Sequence, residues 1–197
     1  MAHHTYRTEG FILGSVDAGD ASRYLFLFTR ELGFVCAHIR SAREMRSKLR
    51  YHTQEQTLAT VALVRGRGMW RLTNAVEMCN ATHALREKRD ARAALARVSF
   101  LVRQLLHGEE RNEYLFAALS AMLSFMSSTT LTERDIQRVE YITVLRVLFS
   151  LGYLEEKAAF AGFLQDPVFT EVLLEAMGEH ERQAVAAINA SLKATQL

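Results

Sequence analysis

The chain has 197 residues, of which 49% are apolar and 23% charged, and its net charge is +2. This composition can bury hydrophobic cores, and a single proline with ten glycines excludes low-complexity tracts. No apolar run approaches the ~20 residues that cross a bilayer, and MAHHTYRTEG lacks the apolar segment of a secretory signal. Two cysteines without a CxxC pair predict reduced thiols, no bound metal or cofactor, and a cytoplasmic protein.

The first 80 residues predict strands, because apolar residues alternate between turn-forming stretches. Glu31–Gly33 and Gly66–Gly68 are the predicted hairpin connections. The five predicted strands are Tyr6–Val16, Arg23–Arg30, Phe34–Arg40, Thr57–Arg65 and Met69–Met78. Five short strands, with a longer excursion between the third and the fourth, predict an OB-type β-barrel in residues 1–80.

Residues 81–197 predict an all-helical domain, so the fold class is α+β. Apolar residues recur every three or four positions, as in Leu115, Leu119, Met122 and Met126. Similar stripes run from Ile136 to Leu148 and from Val185 to Leu192. Further along the chain, Thr132 and Asp135 predict a capping box, Gly152 a helix end, and Asp166-Pro167 a helix start.

Positive charge is concentrated in one region of the barrel. Between His38 and Arg71 there are eight Lys or Arg residues against two acidic ones, an excess of six charges. Half of these cations lie in the stretch SAREMRSKLR, residues 41–50, between the third and fourth predicted strands. Such a stretch is either a solvated surface or a phosphate-binding arm. The candidate DNA-binding residues are Arg40, Arg43, Arg46, Lys48, Arg50, Arg65, Arg67 and Arg71.

Aromatic side chains beside this charge indicate candidates for base stacking, which single-strand binders combine with a basic track. Trp70 and Tyr51 are the candidates, although Trp70 also fits a position in the barrel core. Lys88, Arg89 and Arg92 extend the positive charge into the first helix as candidate auxiliary phosphate contacts. No phosphate-binding loop, HExxH motif or nucleophile setting is present, so the sequence predicts no enzyme.

Four segments resemble the amino-terminal domain of the RecO recombination-mediator family in order and spacing. They are YRTEGFILGS, RYLFLFTRELGFV, RSKLR and LVRGRGMWRLTNAVE, and FSLGYL is similar to the end of a family helix. The family pairs an OB barrel with a helical domain, in agreement with the two kinds of periodicity. Two departures stand out: Ser41-Ala42 replaces a usual glycine, and LEEKAAFAGFLQDP lacks the cysteines of a zinc cluster. The chain therefore resembles a short, zinc-free member.

The resemblance implies a mediator that binds single- and double-stranded DNA, anneals complementary strands and helps to load RecA in recombinational repair. It implies RecR and the acidic tail of the single-strand DNA-binding protein as partners. It also implies an association with the nucleoid and none with a membrane. The candidate cations for the tail are Arg103, Arg134, Arg138 and Arg146. The alternative is an OB-fold scaffold that binds a protein partner and has no direct role on DNA.

Overall fold

A computed structural model describes residues 4–40, 49–155 and 159–195. In these residues, five strands form a closed barrel in the spatial order β1-β2-β3-β5-β4. The strands are β1 (Thr5–Ala18), β2 (Ser22–Thr29), β3 (Gly33–Ile39), β4 (Thr57–Arg65) and β5 (Trp70–Asn80). The predicted α+β class with an amino-terminal OB-type barrel is confirmed.

The barrel closes through one short parallel contact. β1, β2 and β3 form an antiparallel meander, and β4 lies antiparallel to both β1 and β5. β3 and β5 run parallel and pair only at Ala37 with Trp70 and at His38 with Arg71. The turn end of the β4–β5 hairpin therefore lies beside the second half of β3.

Alternation along each strand separates the barrel core from its outer wall. On β2, Leu25 and Leu27 are fully buried inside the barrel, whereas Tyr24 and Phe26, which alternate with them, are half-buried and face outward. The core consists of Ile12, Leu25, Leu27, Val35, Ala37, Ile39, Ala59, Val61, Leu63, Trp70, Leu72 and Ala75. Because this core draws on every strand, it fixes the register of the whole barrel.

The helices are α1 (Leu49–His52), α2 (Ala81–Ala84), α3 (Arg89–Leu105), α4 (Glu113–Ser128), α5 (Glu133–Ser150), α6 (Ala161–Leu164) and α7 (Glu171–Ala194). The chain divides into two compact units, neither of which is continuous in sequence. The barrel unit combines Met1–Arg86 with Ser99–Glu113, and the helical unit combines Glu87–Val98 with Tyr114–Leu197. The predicted boundary at residue 80, between a barrel domain and a helical domain, therefore stays a prediction.

The predicted apolar stripes form the core of the helical unit. Leu115, Leu119, Met122 and Met126 of α4 are all buried, as are the five stripe residues of α5, which are Ile136, Val139, Ile142, Leu145 and Leu148. Of the third stripe, Ile188 is buried, whereas Val185 and Leu192 are half-buried. α5 begins with the predicted capping box, since the Thr132 hydroxyl and the Asp135 carboxylate each accept from the other residue's backbone N–H. The Thr132 hydroxyl also donates to the Asp135 carboxylate at 2.7 Å, and this bond, together with the one from the Thr132 backbone N–H, lowers the pKa of Asp135.

The predicted helix start at Asp166-Pro167 is wrong. Residues 166–170 have no regular secondary structure, and α7 begins only after Thr170, whose hydroxyl accepts from the backbone N–H of Leu173. The Asp166 carboxylate instead accepts from the backbone N–H of Val168, which turns the chain. No helix among the described residues is long and apolar enough to cross a membrane.

Gly33, at the β2–β3 turn, cannot carry a side chain for two reasons. Its φ of +67° is a left-handed conformation, and a Cβ there would lie 2.2 Å from the carbonyl oxygen of Glu110. We expect Gly33→Ala to lower the free energy of unfolding of the barrel unit by at least about 3 kcal/mol. Gly19→Ala is the matched control, because Gly19 has a φ of +65° but open space around a Cβ. If urea denaturation shows the same loss of unfolding free energy for both variants, the close approach of Glu110 to Gly33 is contradicted.

Candidate nucleic-acid interface

Three of the candidate arginines lie on one exposed hairpin. Arg65 ends β4, Arg67 lies in the connection, and Arg71 is the second residue of β5. All three side chains are exposed, and a Cβ placed on Gly66 would lie 3.4 Å from Nε of Arg71. The hairpin therefore presents three positive charges within seven residues, as a phosphate-binding surface requires.

Glu109 binds the two residues on either side of the turn of this hairpin. Its carboxylate accepts from Nε1 of Trp70 at 2.9 Å and from the Arg65 guanidinium at 3.0 Å. The Arg65 guanidinium also lies 5.2 Å from the centroid of the Trp70 ring. Glu109 comes from the Ser99–Glu113 segment of the barrel unit. One carboxylate thus fixes a core aromatic residue and partly neutralises one of the hairpin cations.

The structure corrects the stacking role of Trp70. The side chain is only 4% exposed, belongs to the barrel core and lies edge-on against Tyr6, with 5.2 Å between the ring centroids. A buried ring offers no free face to a base. Tyr51 on α1 is 62% exposed and keeps its candidate role.

The barrel wall holds a transverse row of side chains that the sequence reasoning missed. Tyr24 pairs with His38 across β2 and β3, and His38 pairs with Arg71 across β3 and β5. The Tyr24 and His38 rings lie 5.2 Å apart, and both are half-buried. Alternation with the buried Leu25 and Ala37 could have predicted from sequence that Tyr24 and His38 face outward. Only the β3–β5 pairing, which the sequence does not reveal, brings Arg71 into the row. An aromatic pair beside a cation is the arrangement on which bases stack in OB folds.

The remaining cations of the basic region are only partly described. Arg40 follows β3 and Arg50 lies on α1, and both are exposed. Arg43, Arg46 and Lys48 lie outside the described residues, so the proposed arm remains a prediction from sequence.

The structure also corrects the auxiliary role of Lys88. Its ammonium group donates to the backbone carbonyls of Met126, Ser127 and Thr129 at 2.9–3.0 Å. All three of its donors are thereby used at the carboxyl end of α4, where a cation also complements the helix dipole. Arg89 is exposed and Arg92 half-buried, and both remain candidates.

The four candidates for tail binding have different surroundings. Arg134 is exposed, and Arg138 forms ion pairs with Asp135 and Glu181 at 3.9 and 2.9 Å. Arg103 belongs to the barrel unit, where its guanidinium lies 4.0 Å from the ring centroid of Phe26. Arg146 is fully buried and donates to backbone carbonyls of residues 163–168, so the structure corrects its assignment to a partner surface.

The cysteines offer no metal site. Cys36 and Cys79 are free, and burial raises the pKa of both thiols, with Glu77 adding to the effect at Cys79. In the part of the chain that the structure describes, no group of three His, Cys, Asp or Glu residues could hold a metal ion.

Comparison with known proteins agrees with the fold. A family model described as Recombination protein O N terminal matches residues 1–80. The chain is 27% identical over 122 residues to a DNA repair protein RecO of Halalkalibacterium halodurans, an alignment covering 62% of this chain and 48% of that protein. A DNA repair protein RecO of Bacillus cereus (strain AH187) is 27% identical over 120 residues, covering 61% and 48%. The chain thus spans about half the length of the curated relatives it matches.

Proposed function

We propose that this chain is a RecO-family protein that binds DNA in recombinational repair and anneals complementary single strands. Its similarity to the RecO amino-terminal family model and to the RecO relatives supports this proposal. The observation that carries the proposal is the exposed arginine hairpin beside the Tyr24–His38–Arg71 row. The hairpin supplies charge for phosphates, and the row supplies ring faces for bases. Most contacts of this kind ignore base sequence, which suits a protein that acts on any broken or gapped DNA.

Annealing follows from the same chemistry. Two single strands repel each other because each carries one negative charge per nucleotide. A protein that neutralises phosphates on both strands lowers this repulsion and raises the local concentration of complementary bases. The proposed phosphate contacts are Arg40, Arg43, Arg46, Lys48, Arg50, Arg65, Arg67 and Arg71, with Arg89 and Arg92 as auxiliary contacts and Tyr51 as a stacking residue.

We extend the proposal to the partners that the family resemblance implies. RecR would act together with this chain on DNA, and RecA would be loaded indirectly. The acidic tail of the single-strand DNA-binding protein needs an accessible cation, and Arg134 on α5 is the exposed candidate in the helical unit. Arg138 could serve only after releasing Glu181, because the two residues are already paired.

A binding titration with a labelled oligonucleotide at several salt concentrations tests the proposal. The affinity should fall with a log–log slope of roughly −0.7 per phosphate contacted, because each contact releases counterions. Annealing of two complementary dye-labelled strands should accelerate under the low-salt conditions that favour binding. Absence of binding at low salt would overturn the proposal and favour the protein-scaffold alternative.

Glu109→Gln should tighten DNA binding. Glutamine keeps an oxygen that can accept from Trp70, but it removes the charge that neutralises Arg65. We expect the affinity for a single-stranded oligonucleotide to rise by up to about fivefold at low salt, the range of an exposed ion pair. Glu110→Gln is the matched control, since it changes the net charge by the same amount one residue away. Equal effects of the two variants would show that Glu109 does not compete with phosphate for Arg65.

A further inference from the structure

The tip of the β4–β5 hairpin carries an exposed apolar side chain. Met69, between Gly68 and the buried Trp70, is 43% exposed and follows Arg67 by two residues. A single exposed apolar residue is ordinary on a protein surface. Its position at the end of a ribbon that carries three arginines distinguishes Met69 from the others.

Two backbone hydrogen bonds close the turn at this tip. The backbone N–H of Gly66 donates to the carbonyl of Met69 at 2.9 Å, and that of Gly68 donates to the carbonyl of Gly66 at 2.9 Å. Gly68 has a φ of +146°, and a Cβ on Gly66 would lie 3.0 Å from the carbonyl oxygen of Met69. The turn therefore favours glycine at 68 for its backbone conformation and at 66 for this close contact, and it presents Met69 between Gly68 and Trp70.

The two residues on either side of this turn are also held in place. Trp70, the residue next to Met69, is anchored in the barrel core and donates to Glu109, and Arg65 opposite it in the register binds the same carboxylate. A backbone that is already ordered reduces the conformational entropy lost on binding to that of the side chain itself. Methionine is unbranched and polarisable, so it can fit an irregular gap between bases.

We propose that Met69 is an unstacking wedge, which enters between neighbouring bases while Arg65, Arg67 and Arg71 bind the flanking phosphates. A two-stranded ribbon fits a DNA groove, and apolar wedges in other proteins separate base steps in this way. The inference rests on the proposed DNA binding and specifies its substrate class. That class is duplex DNA with a discontinuity, such as a nick, a gap or a single-strand/double-strand junction.

The preference for a discontinuity follows from the energy of stacking. A base pair inside a duplex stacks on two neighbours, whereas the last pair at a junction stacks on one. Insertion at a junction therefore disrupts less stacking than insertion into unbroken duplex. Unstacking a base step costs a few kcal/mol, so a saving of about 1.4 kcal/mol at a junction should make wild-type protein prefer a gapped duplex by about tenfold.

The test uses 2-aminopurine, whose fluorescence rises when it is unstacked, placed at the junction of a gapped duplex. Wild-type protein should raise its fluorescence and bind the gapped duplex about tenfold tighter than unbroken duplex. Met69→Ala should lose the fluorescence rise and the preference while keeping its affinity for single strands. Met69→Leu should retain both. Met78→Ala is the matched control, because Met78 is 50% exposed on the same strand away from the tip.

The outcomes separate the wedge from the DNA binding on which it rests. DNA binding by the wild type without a fluorescence rise, or with the same rise for Met69→Ala, overturns the wedge and leaves the proposed function standing. Absence of DNA binding by the wild type overturns both. Circular dichroism establishes that each variant is folded.

Discussion

Replacing Arg146 with alanine should destabilise the helical unit by about 3–5 kcal/mol, the range for loss of a buried charged hydrogen-bonding group. The guanidinium is fully buried and donates to four backbone carbonyls, those of Phe163, Asp166, Pro167 and Val168, at 2.5–3.2 Å. Its centre also lies 4.5 Å from the Phe169 ring centroid. Alanine would leave a cavity and four carbonyls without their donor.

The charge of Arg146 is part of this arrangement. Burial lowers its pKa to about 10, so the group remains charged at neutral pH and its desolvation must be offset by the four carbonyls. Lysine keeps the charge but lacks the planar fork of donors, so Arg146→Lys should have an intermediate effect.

Urea denaturation followed by circular dichroism measures the loss. Arg134→Ala, on the exposed side of the same helix, is the matched control and should change the free energy of unfolding by no more than about 0.5 kcal/mol. An Arg146→Ala variant as stable as this control would contradict the role of Arg146 as the organiser of residues 163–168.

Reversing the charge of Arg43, Arg46 and Lys48 together to glutamate should reduce single-strand affinity by roughly a hundredfold at low salt. The change removes three candidate phosphate contacts and adds repulsion, so the loss should exceed that of the triple alanine variant. The rate of strand annealing should fall in parallel, because annealing depends on the same neutralisation. Fluorescence anisotropy and a dye-quenching annealing assay measure the two effects.

Arg134→Glu is the control for this charge reversal. It lies in the helical unit and should leave binding to naked DNA unchanged. If α5 binds the acidic tail, the same substitution should weaken the complex with the single-strand DNA-binding protein. A triple glutamate variant that is folded and anneals DNA at the wild-type rate would show that this stretch is a solvated surface.

Local patterns were sufficient to predict the barrel. β4 has the bounds that the sequence predicts, Thr57–Arg65, because alternation begins and ends at polar turn residues. The apolar stripe of α4 was predicted for the same reason, since a helix buries every third or fourth residue. The core position of Trp70 was also available from sequence, because alternation places it on the same face as Leu72.

The roles of individual cations could not be predicted in this way. Arg146 and Lys88 bind backbone carbonyls from distant parts of the chain, Arg146 those 17–22 residues away and Lys88 those 38–41 away. Every residue carries such a carbonyl, so no sequence pattern marks the partner. The helix start predicted at Asp166-Pro167 was wrong for a related reason, because Arg146 rather than a helix uses the carbonyls of this segment.

The discontinuous barrel unit has a consequence for how the protein is made. The five strands end at Asn80, but the segment that approaches Gly33, supports Phe26 and anchors Trp70 lies within Ser99–Glu113. During translation the strands can pair before this segment emerges, whereas the outer wall at Phe26 stays uncovered until it does. Nascent chains of increasing length should therefore gain full protease resistance in the barrel only after Glu113 has left the ribosome.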